Sequence, residues 1–461
     1  MAQTHSLDGL MAWSRRAEWN QRFKETLARH LGAACEKFSV SPEDLSDILG
    51  PMAASVFGCA FENFLTLEED GHNVVDDYLR RRGWKEGASA RAYIEGLRRS
   101  VMSLYEASDI VPGQSVMVRD LVRGGDPVLI TERTATHALR KWDRLAGRLV
   151  SIGGETVFSG GLLSFDRDLA DKVLASLKRV TRRARTEIRR TMREAGSAID
   201  EAMLREETSE TALLCKSAFL ITNVWLDDAL RRALSPSMPK LSNSEGDPLL
   251  FLTAHYPLHP GATPAAVRER LATLSSLRPA GDDFWNWLAE PGTRPVPPRT
   301  GQSFITTMDD GTLVLGNVEL KPRKITLGVN SERRLKRGRA LIEPVLAGLI
   351  GEPKIVTETP AQLMARGPRE APKHDLSPDE ERRIVLARLD QHYRATLGSP
   401  VPALGNLSPR EAARTAQGRA KVVEWLKLLE NHASHADPES PIGSHDFAWL
   451  WEDLGLSDQR R

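Results

Sequence analysis

The chain has few cysteines and no long apolar segment, and both shortages narrow what kind of protein it can be. Its 461 residues include three cysteines, Cys35, Cys59 and Cys215, which are far apart and form no CxxC pair. A disulfide framework or a thiolate zinc site is therefore not expected, which is typical of a reducing cytoplasm. The first residues, MAQTHSLDGLMAWSRRAEW, contain no uninterrupted apolar run, so we predict neither a signal peptide nor a membrane span. We expect a cytoplasmic protein.

Recognisable catalytic motifs are also missing. The chain has no GxxxxGK[ST] loop, no GxGxxG after a strand, no GxSxG elbow and no HExxH helix. His255 and His259 are four residues apart, but Pro257 between them prevents a shared helix face. Three more histidines cluster late in the chain: His432, His435 and His445. Polar loop histidines are usually solvated, so we predict no metal site. Because the motifs above are missing, we also predict no cofactor and no catalytic residue. The alternative is an enzyme of unrecognised type, which would need a deep pocket with converging titratable groups.

Over the whole chain, neither positive nor negative side chains are in clear excess. Lys and Arg number 63 against 62 Asp and Glu, for a net charge of +1. Bulk attraction to nucleic acid or to a membrane surface is therefore not expected, although local clusters can still act. The hydrophobic share of 41% and the charged share of 27% are ordinary for a globular protein of several domains.

What is present predicts an α+β multi-module protein, mainly helical. Short apolar runs separated by Gly, Pro and Asp, with Gly124-Gly125-Asp126 as a hairpin turn, predict a small β-barrel-like unit of four or five strands. In the α+β domain we expect SFITTM, TLVLGNVEL and KITLGVN to form a three-strand meander, and Pro344 to break a long helix. We predict five modules: a helical region 1–108, the β unit 109–165, a helical segment with a basic face 166–234, an α+β domain 248–365 and a C-terminal helical module 377–461. Linkers at 235–247 and 366–376 stand on either side of the α+β domain.

The concentrated positive charge lies on one predicted helix, 177–193. An apolar stripe runs from Leu177 to Met192, and eight cations surround it, with Glu187 as their one acidic neighbour. Such a face can neutralise phosphates of any nucleotide sequence. The candidate nucleic-acid residues are Lys178, Arg179, Arg182, Arg183, Arg189 and Arg190. The competing interpretation, which we favour, is that these cations pair with acidic residues downstream: Asp200, Glu201, Glu206 and Glu207.

Helix starts are most clearly marked in the C-terminal module. Ser377-Pro378-Asp379-Glu380 and Ser408-Pro409-Arg410-Glu411 both match the capping box, with Ser at the N-cap, Pro at the first helical position and Glu two positions later. Thr415 can cap the amphipathic helix that follows, where Trp425 stands beside an apolar stripe. This pattern specifies a helical fold and identifies no reaction.

The stretch PVPALGNLSPREAARTAQGRAKVVEWLKLLE resembles the toxin-binding helical segment of bacterial antitoxins that are paired with RES-domain toxins. Pro402–Gly405, Ser408–Glu411 and Gly418-Arg419 carry the resemblance. Together with the β unit and VNSERRLKRGRALIE, the tail also resembles a poorly characterised bacterial family related to SEC-C-motif proteins, whose Cys/His zinc cluster this chain lacks. The resemblance implies a partner-binding surface with these residues: Tyr393, Pro402, Leu404, Arg410, Arg414, Arg419 and Trp425. The alternative is that the same helices are a packing unit.

These observations lead to two competing functional predictions. The first is a non-enzymatic intracellular binding or regulatory protein whose C-terminal helices hold a protein partner. The second is a nucleic-acid-associated protein that uses the β unit and helix 177–193. The sequence predicts neither the partner nor the oligomeric state.

Overall fold

The computed structural model describes residues 7–195, 201–234, 241–296, 302–366 and 377–460. The chain is an α+β protein, as predicted, and divides into two compact units. The first unit joins residues 1–236 with 375–461, and the second is formed by residues 237–374. Within the described residues, no helix is both long and apolar enough to cross a membrane.

The first unit begins with six helices that bury their apolar faces against each other and against a sheet. Asn73 caps one of these helices by accepting from the backbone N–H groups of Val75 and Asp76, and Ser41 forms a capping box with Asp44 in the short 3-10 turn that precedes the helix at Leu45. The helices are α1 (Asp8–Ser14), α2 (Ala17–Phe38), α3 (Leu45–Leu49), α4 (Met52–Thr66), α5 (Val74–Arg82) and α6 (Ala88–Arg99).

The antiparallel sheet of the first unit has six strands in the order β3-β2-β1-β4-β5, and β6 pairs with β4. The terminal strands of this order, β3 and β5, contact each other, so the sheet curls almost into a barrel. Gly124 and Gly125 have positive φ in the β2–β3 connection, as the predicted hairpin requires. The strands are β1 (Met102–Val111), β2 (Ser115–Asp120), β3 (Val128–Thr131), β4 (Arg144–Ile152), β5 (Glu155–Phe158) and β6 (Leu163–Phe165), with the short helix α7 (Ala135–Ala138) between β3 and β4.

The first strand starts earlier than the sequence suggested. β1 begins at Met102, so the predicted boundary at residue 108 falls inside a strand. Its first seven residues are all buried, because both faces of the strand are covered. A strand buried on both faces lacks the alternation of apolar and polar residues that reveals a half-exposed strand.

Three helices follow the sheet: α8 (Arg167–Glu194), α9 (Glu201–Glu207) and α10 (Glu210–Leu234). α10 packs against α2, α4 and α8, and together with β1 these elements enclose the largest core of the unit. Asp166 caps α8 by accepting from the N–H of Leu169. The first turns of α8 contribute Leu169, Val173 and Leu177 to that core.

The second unit is built on another antiparallel sheet, with the order β14-β8-β13-β12-β10-β9. α11 starts with Thr263 as N-cap and Pro264 at the first position. α12 ends at Ile342, just before Pro344, where the sequence predicts a break. The strands of the second unit are β7 (Leu241–Asn243), β8 (Phe251–Pro257), β9 (Leu277–Gly281), β10 (Phe284–Leu288), β11 (Gln302–Phe304), β12 (Val314–Lys321), β13 (Lys324–Val329) and β14 (Lys354–Glu358). The helices of this unit are α11 (Pro264–Ala272), α12 (Glu332–Ile342) and α13 (Pro360–Arg366).

The predicted three-strand meander of the second unit is wrong in its first strand. β12 and β13 form the expected hairpin, but β11 pairs in parallel with β7 in a separate two-stranded sheet. The apolar side chains of that segment, Phe304 and Ile305, remain exposed, so they do not draw it into the core.

The C-terminal helices belong to the first unit. The two predicted capping boxes are present at Ser377 and Ser408, and Thr415 caps its helix by accepting from the N–H of Gly418. Leu397, Leu426 and other buried residues form a separate core for this module. The helices are α14 (Pro378–Thr396), α15 (Pro409–Ala412), α16 (Ala416–Ser434) and α17 (Ala448–Asp453).

Candidate functional site

The second half of α8 leaves the core and carries the basic surface. Its last buried residue is Leu177, while Val180, Ile188 and Met192 are half-buried. Helical hydrogen bonding continues there, and the hydroxyl of Thr186 adds a bond to the carbonyl of Arg182. We call residues 178–193 the basic arm.

α9 lies beside the basic arm. The Nε of Arg185 donates to the hydroxyl of Thr208 at 3.0 Å, and Nη2 of Arg189 lies 3.1 Å from the Glu201 carboxylate. Leu204 of α9 is buried, whereas the other residues of α9 are exposed. The arm is therefore supported on one side, which fixes the direction in which its other cations point.

All eight cations of the basic arm are exposed. Across the described parts of the chain, a carboxylate lies within 4 Å of two of them: Arg189 pairs with Glu201, and Arg190 pairs with Glu187 and Glu194. The predicted pairing of these cations with downstream acidic residues is therefore only partial. Glu207 pairs with Lys216 instead, and Asp200 lies outside the described residues. Exposed pairs of this kind are weak, so they leave the arm strongly positive.

The residues predicted to bind a partner mostly hold their own module together. Leu404 and Trp425 are buried in its core, and Tyr393 packs on Phe447 with ring centroids 5.3 Å apart. Arg410 pairs with a carboxylate of α17, and Arg419 donates to the carbonyl of Gly455. Of the seven predicted residues, Pro402 and Arg414 remain exposed without such a role. Partner binding by these residues stays a prediction.

A buried polar network joins the C-terminal module to the first sheet. Glu106 on β1 is 3% exposed; its carboxylate contacts the ammonium of Lys427 and lies 3.5 Å from the guanidinium groups of Arg144 and Arg167. Burial lowers the pKa of Arg167, and the neighbouring positive charge of Arg144 acts in the same direction. Sequence reasoning missed this network, because Lys427 lies 321 positions from Glu106 in the chain.

Aromatic and amide groups extend the same interface. Nε1 of Trp142 donates to the carboxylate of Glu430 at 2.7 Å, and the Trp142 ring lies 6.4 Å from that of Trp451. The amide of Asn431 donates to Asp143 at 2.8 Å, and His435 contacts the same carboxylate. The module is therefore attached through matched polar groups as well as apolar packing.

The interior of the first unit also contains ionisable groups with hydrogen-bond partners. Glu62 accepts from the hydroxyl of Ser159 at 2.7 Å and from the N–H of Gly161 at 2.8 Å. Burial raises the pKa of the Glu62 carboxyl group, and the two hydrogen bonds oppose that rise. Burial lowers the pKa of His30 to about 4, against the effect of its 2.8 Å contact with Asn63, so His30 is neutral at pH 7.

The second unit has an open groove of about 630 Å³ on the uncovered face of its sheet. Thr253, His255 and Asn317 are among the floor residues. The charged groups along it pair with each other: Glu319 lies 3.1 Å from Lys321, and Glu358 contacts Arg366. No cluster of three or more metal-ligating side chains occurs in the ranges that the structure describes. His435 and His445 contact different carboxylates, those of Asp143 and Asp390.

A protein-family model matches part of the chain. Residues 61–195 match the model of a family of unknown function (DUF7986), a segment that runs from α4 through the six-stranded sheet to the end of α8. The matched segment therefore includes the whole basic arm. No curated protein and no solved structure matches the chain.

Proposed function

We propose that this chain is a non-enzymatic binding protein that associates with nucleic acid through the basic arm. The observation that carries the proposal is the set of exposed cations without a carboxylate partner in the described structure, among them Arg182 and Arg183. A helix fixes the spacing of these cations along its axis before binding, and each phosphate they neutralise releases a counterion. Recognition of this kind depends on salt and not on base sequence.

The test is the binding of a labelled 20-mer, as duplex DNA, single-stranded DNA and RNA, measured by fluorescence anisotropy at several salt concentrations. Reversing Arg182 and Arg183 to Glu should weaken binding at least about tenfold at low salt and reduce the slope of log K against log salt by about 2. The matched control reverses Arg99 and Lys421, exposed cations on α6 and α16, and should change affinity little. Equal losses in both variants, or no binding by the unaltered chain at low salt, would contradict the proposal.

Recognition of a protein partner by the C-terminal module is a second candidate, and α14 favours it. None of the described side chains of α14 is buried, and Ile384 is 56% exposed. Val385, Leu386 and Leu389 are half-buried and lie outside the core of the module. An apolar face in this state is typical of a helix that packs on another protein. The resemblance to the antitoxins of RES-domain toxins supports the same candidate.

Ile384→Asp tests this second candidate, because the exposed side chain can be changed without disturbing the core. We expect the variant to keep the melting temperature of the unaltered chain and to lose a stoichiometric partner during purification from the native cells. Ile442→Asp is the control, since Ile442 is 51% exposed in the same module but lies outside α14. If both variants retain the same partner, or if the unaltered chain purifies without one, α14 is not the docking surface.

A further inference from the structure

The outer strand of the second unit, β14, has an uncovered edge. It pairs with β8 on one side, and within the described structure no strand pairs with its other side. Its first four residues are exposed, including Ile355 at 40% and Val356 at 39%. The helix that follows, α13, has no buried residue. An uncovered edge with apolar side chains offers unpaired backbone groups to another strand.

The opposite edge of the same sheet is protected. β9 contains Pro279, which has no N–H to donate, and ends at Gly281. Arg278 on this strand pairs with Asp310 at 2.7 Å. β14 contains no proline, and its Lys354 has no carboxylate within 4 Å among the described residues. The β14 edge can therefore pair with another strand, whereas the β9 edge is interrupted at Pro279.

The sequence of β14, Lys-Ile-Val-Thr-Glu, is complementary to itself when read in opposite directions. We propose that β14 pairs antiparallel with β14 of a second copy, around a twofold axis at Val356. Lys354 then lies opposite the partner's Glu358, and Glu358 lies opposite the partner's Lys354. Ile355 and Thr357 face each other across the axis in the same way, which meets the requirement that a twofold interface be self-complementary.

This register places Lys354 opposite a carboxylate, that of Glu358, which within its own chain also contacts Arg366. The alternative registers leave Lys354 without one. A shift by two residues places one charged group of each strand opposite Val356, and a parallel arrangement places Lys354 beside the partner's Lys354. Directly opposed unlike charges stabilise a strand pair, whereas like charges destabilise it. A five-residue pairing is small compared with a standard protein interface, so the dimer forms and dissociates with protein concentration.

Sedimentation velocity of the full chain over a range of concentrations tests the proposal. Lys354→Glu and Glu358→Lys, each alone, should raise the dimer dissociation constant about tenfold, because both cross-strand pairs become repulsive. An equimolar mixture of the two variants should dimerise like the unaltered chain, since unlike charges again face each other. Lys336→Glu, an exposed site on α12 with the same charge change, should leave the dissociation constant unchanged.

Cross-linking provides a second measurement that does not depend on charge. Val356→Cys places two thiols opposite each other at the axis, within reach of a disulfide, whereas Lys354→Cys places them several residues apart. Both are made with Cys215→Ser, which removes the exposed native thiol. Selective cross-linking of Val356→Cys supports the pairing. A chain that is monomeric at all concentrations, or equal cross-linking of both variants, overturns it and leaves the edge to an extended peptide.

Discussion

Replacing Glu106 by Gln is expected to lower the free energy of unfolding of the first unit by about 3 to 5 kcal/mol. The substitution keeps the shape of the side chain and removes its charge. Lys427 and Arg144 are almost fully buried beside it, and Arg167 is nearly so. Without the carboxylate, these cations lose an anion that water cannot replace. Urea unfolding followed by circular dichroism, with the transition of the first unit fitted separately, measures the change.

Glu424→Gln is the matched control for Glu106. Glu424 also contacts Arg144 and Arg167, but its side chain is about half exposed, so its loss should cost less than about 1 kcal/mol. Combining Glu106→Gln with Lys427→Met should cost less than the sum of the single changes, because the buried cation leaves with its partner. Equal costs at Glu106 and Glu424, or additive effects in the double variant, would show that the network contributes no specific stability.

Gly161→Ala is expected to destabilise the same unit by about 3 kcal/mol, close to the upper end for overpacking. A Cβ at Gly161 would lie 2.7 Å from the backbone nitrogen of Cys59 and 3.0 Å from its Cα. Both are backbone atoms of α4, so no flexible side chain can move aside. The loop cannot retreat without breaking the hydrogen bond from the N–H of Gly161 to Glu62. Thermal and urea unfolding measure the loss.

The adjacent glycine is the control for this prediction. A Cβ at Gly160 meets the Glu62 carboxylate at 3.7 Å, an ordinary contact, so Gly160→Ala should change the free energy of unfolding by less than about 0.5 kcal/mol. The contrast between neighbours separates the close approach to α4 from a general sensitivity of the loop. Similar costs at both positions would mean that the loop, and not the approach of two backbones, determines stability.

Local features of the structure could be predicted from the sequence. Ser377, Ser408, Thr263 and Thr415 each cap a helix because their hydroxyl groups accept from the backbone N–H three residues further on. Pro344 ends α12 for an equally local reason. The α+β class followed from the same short-range signals, and the basic arm was visible because helical spacing alone places its cations around an apolar stripe.

Features that depend on distant residues could not be predicted. Glu106 and Lys427 are separated by 321 positions, and either one alone looks like a surface charge. Trp425 was assigned to a partner surface or to a core, and its burial follows only from how α16 meets its neighbours. The pairing of β11 with β7 joins residues 61 positions apart, across which the sequence carries no register signal.

The discontinuity of the first unit has a consequence for the order in which a ribosome delivers the chain. β1 and β4 emerge early, but α16, which supplies Lys427 to the buried carboxylate of Glu106, emerges after the whole second unit. The second unit can therefore complete its fold before the last helices of the first unit are made. Until then, the side of the first unit's sheet that contacts α16 is open to water. During synthesis, that face is exposed surface of the kind that a chaperone protects.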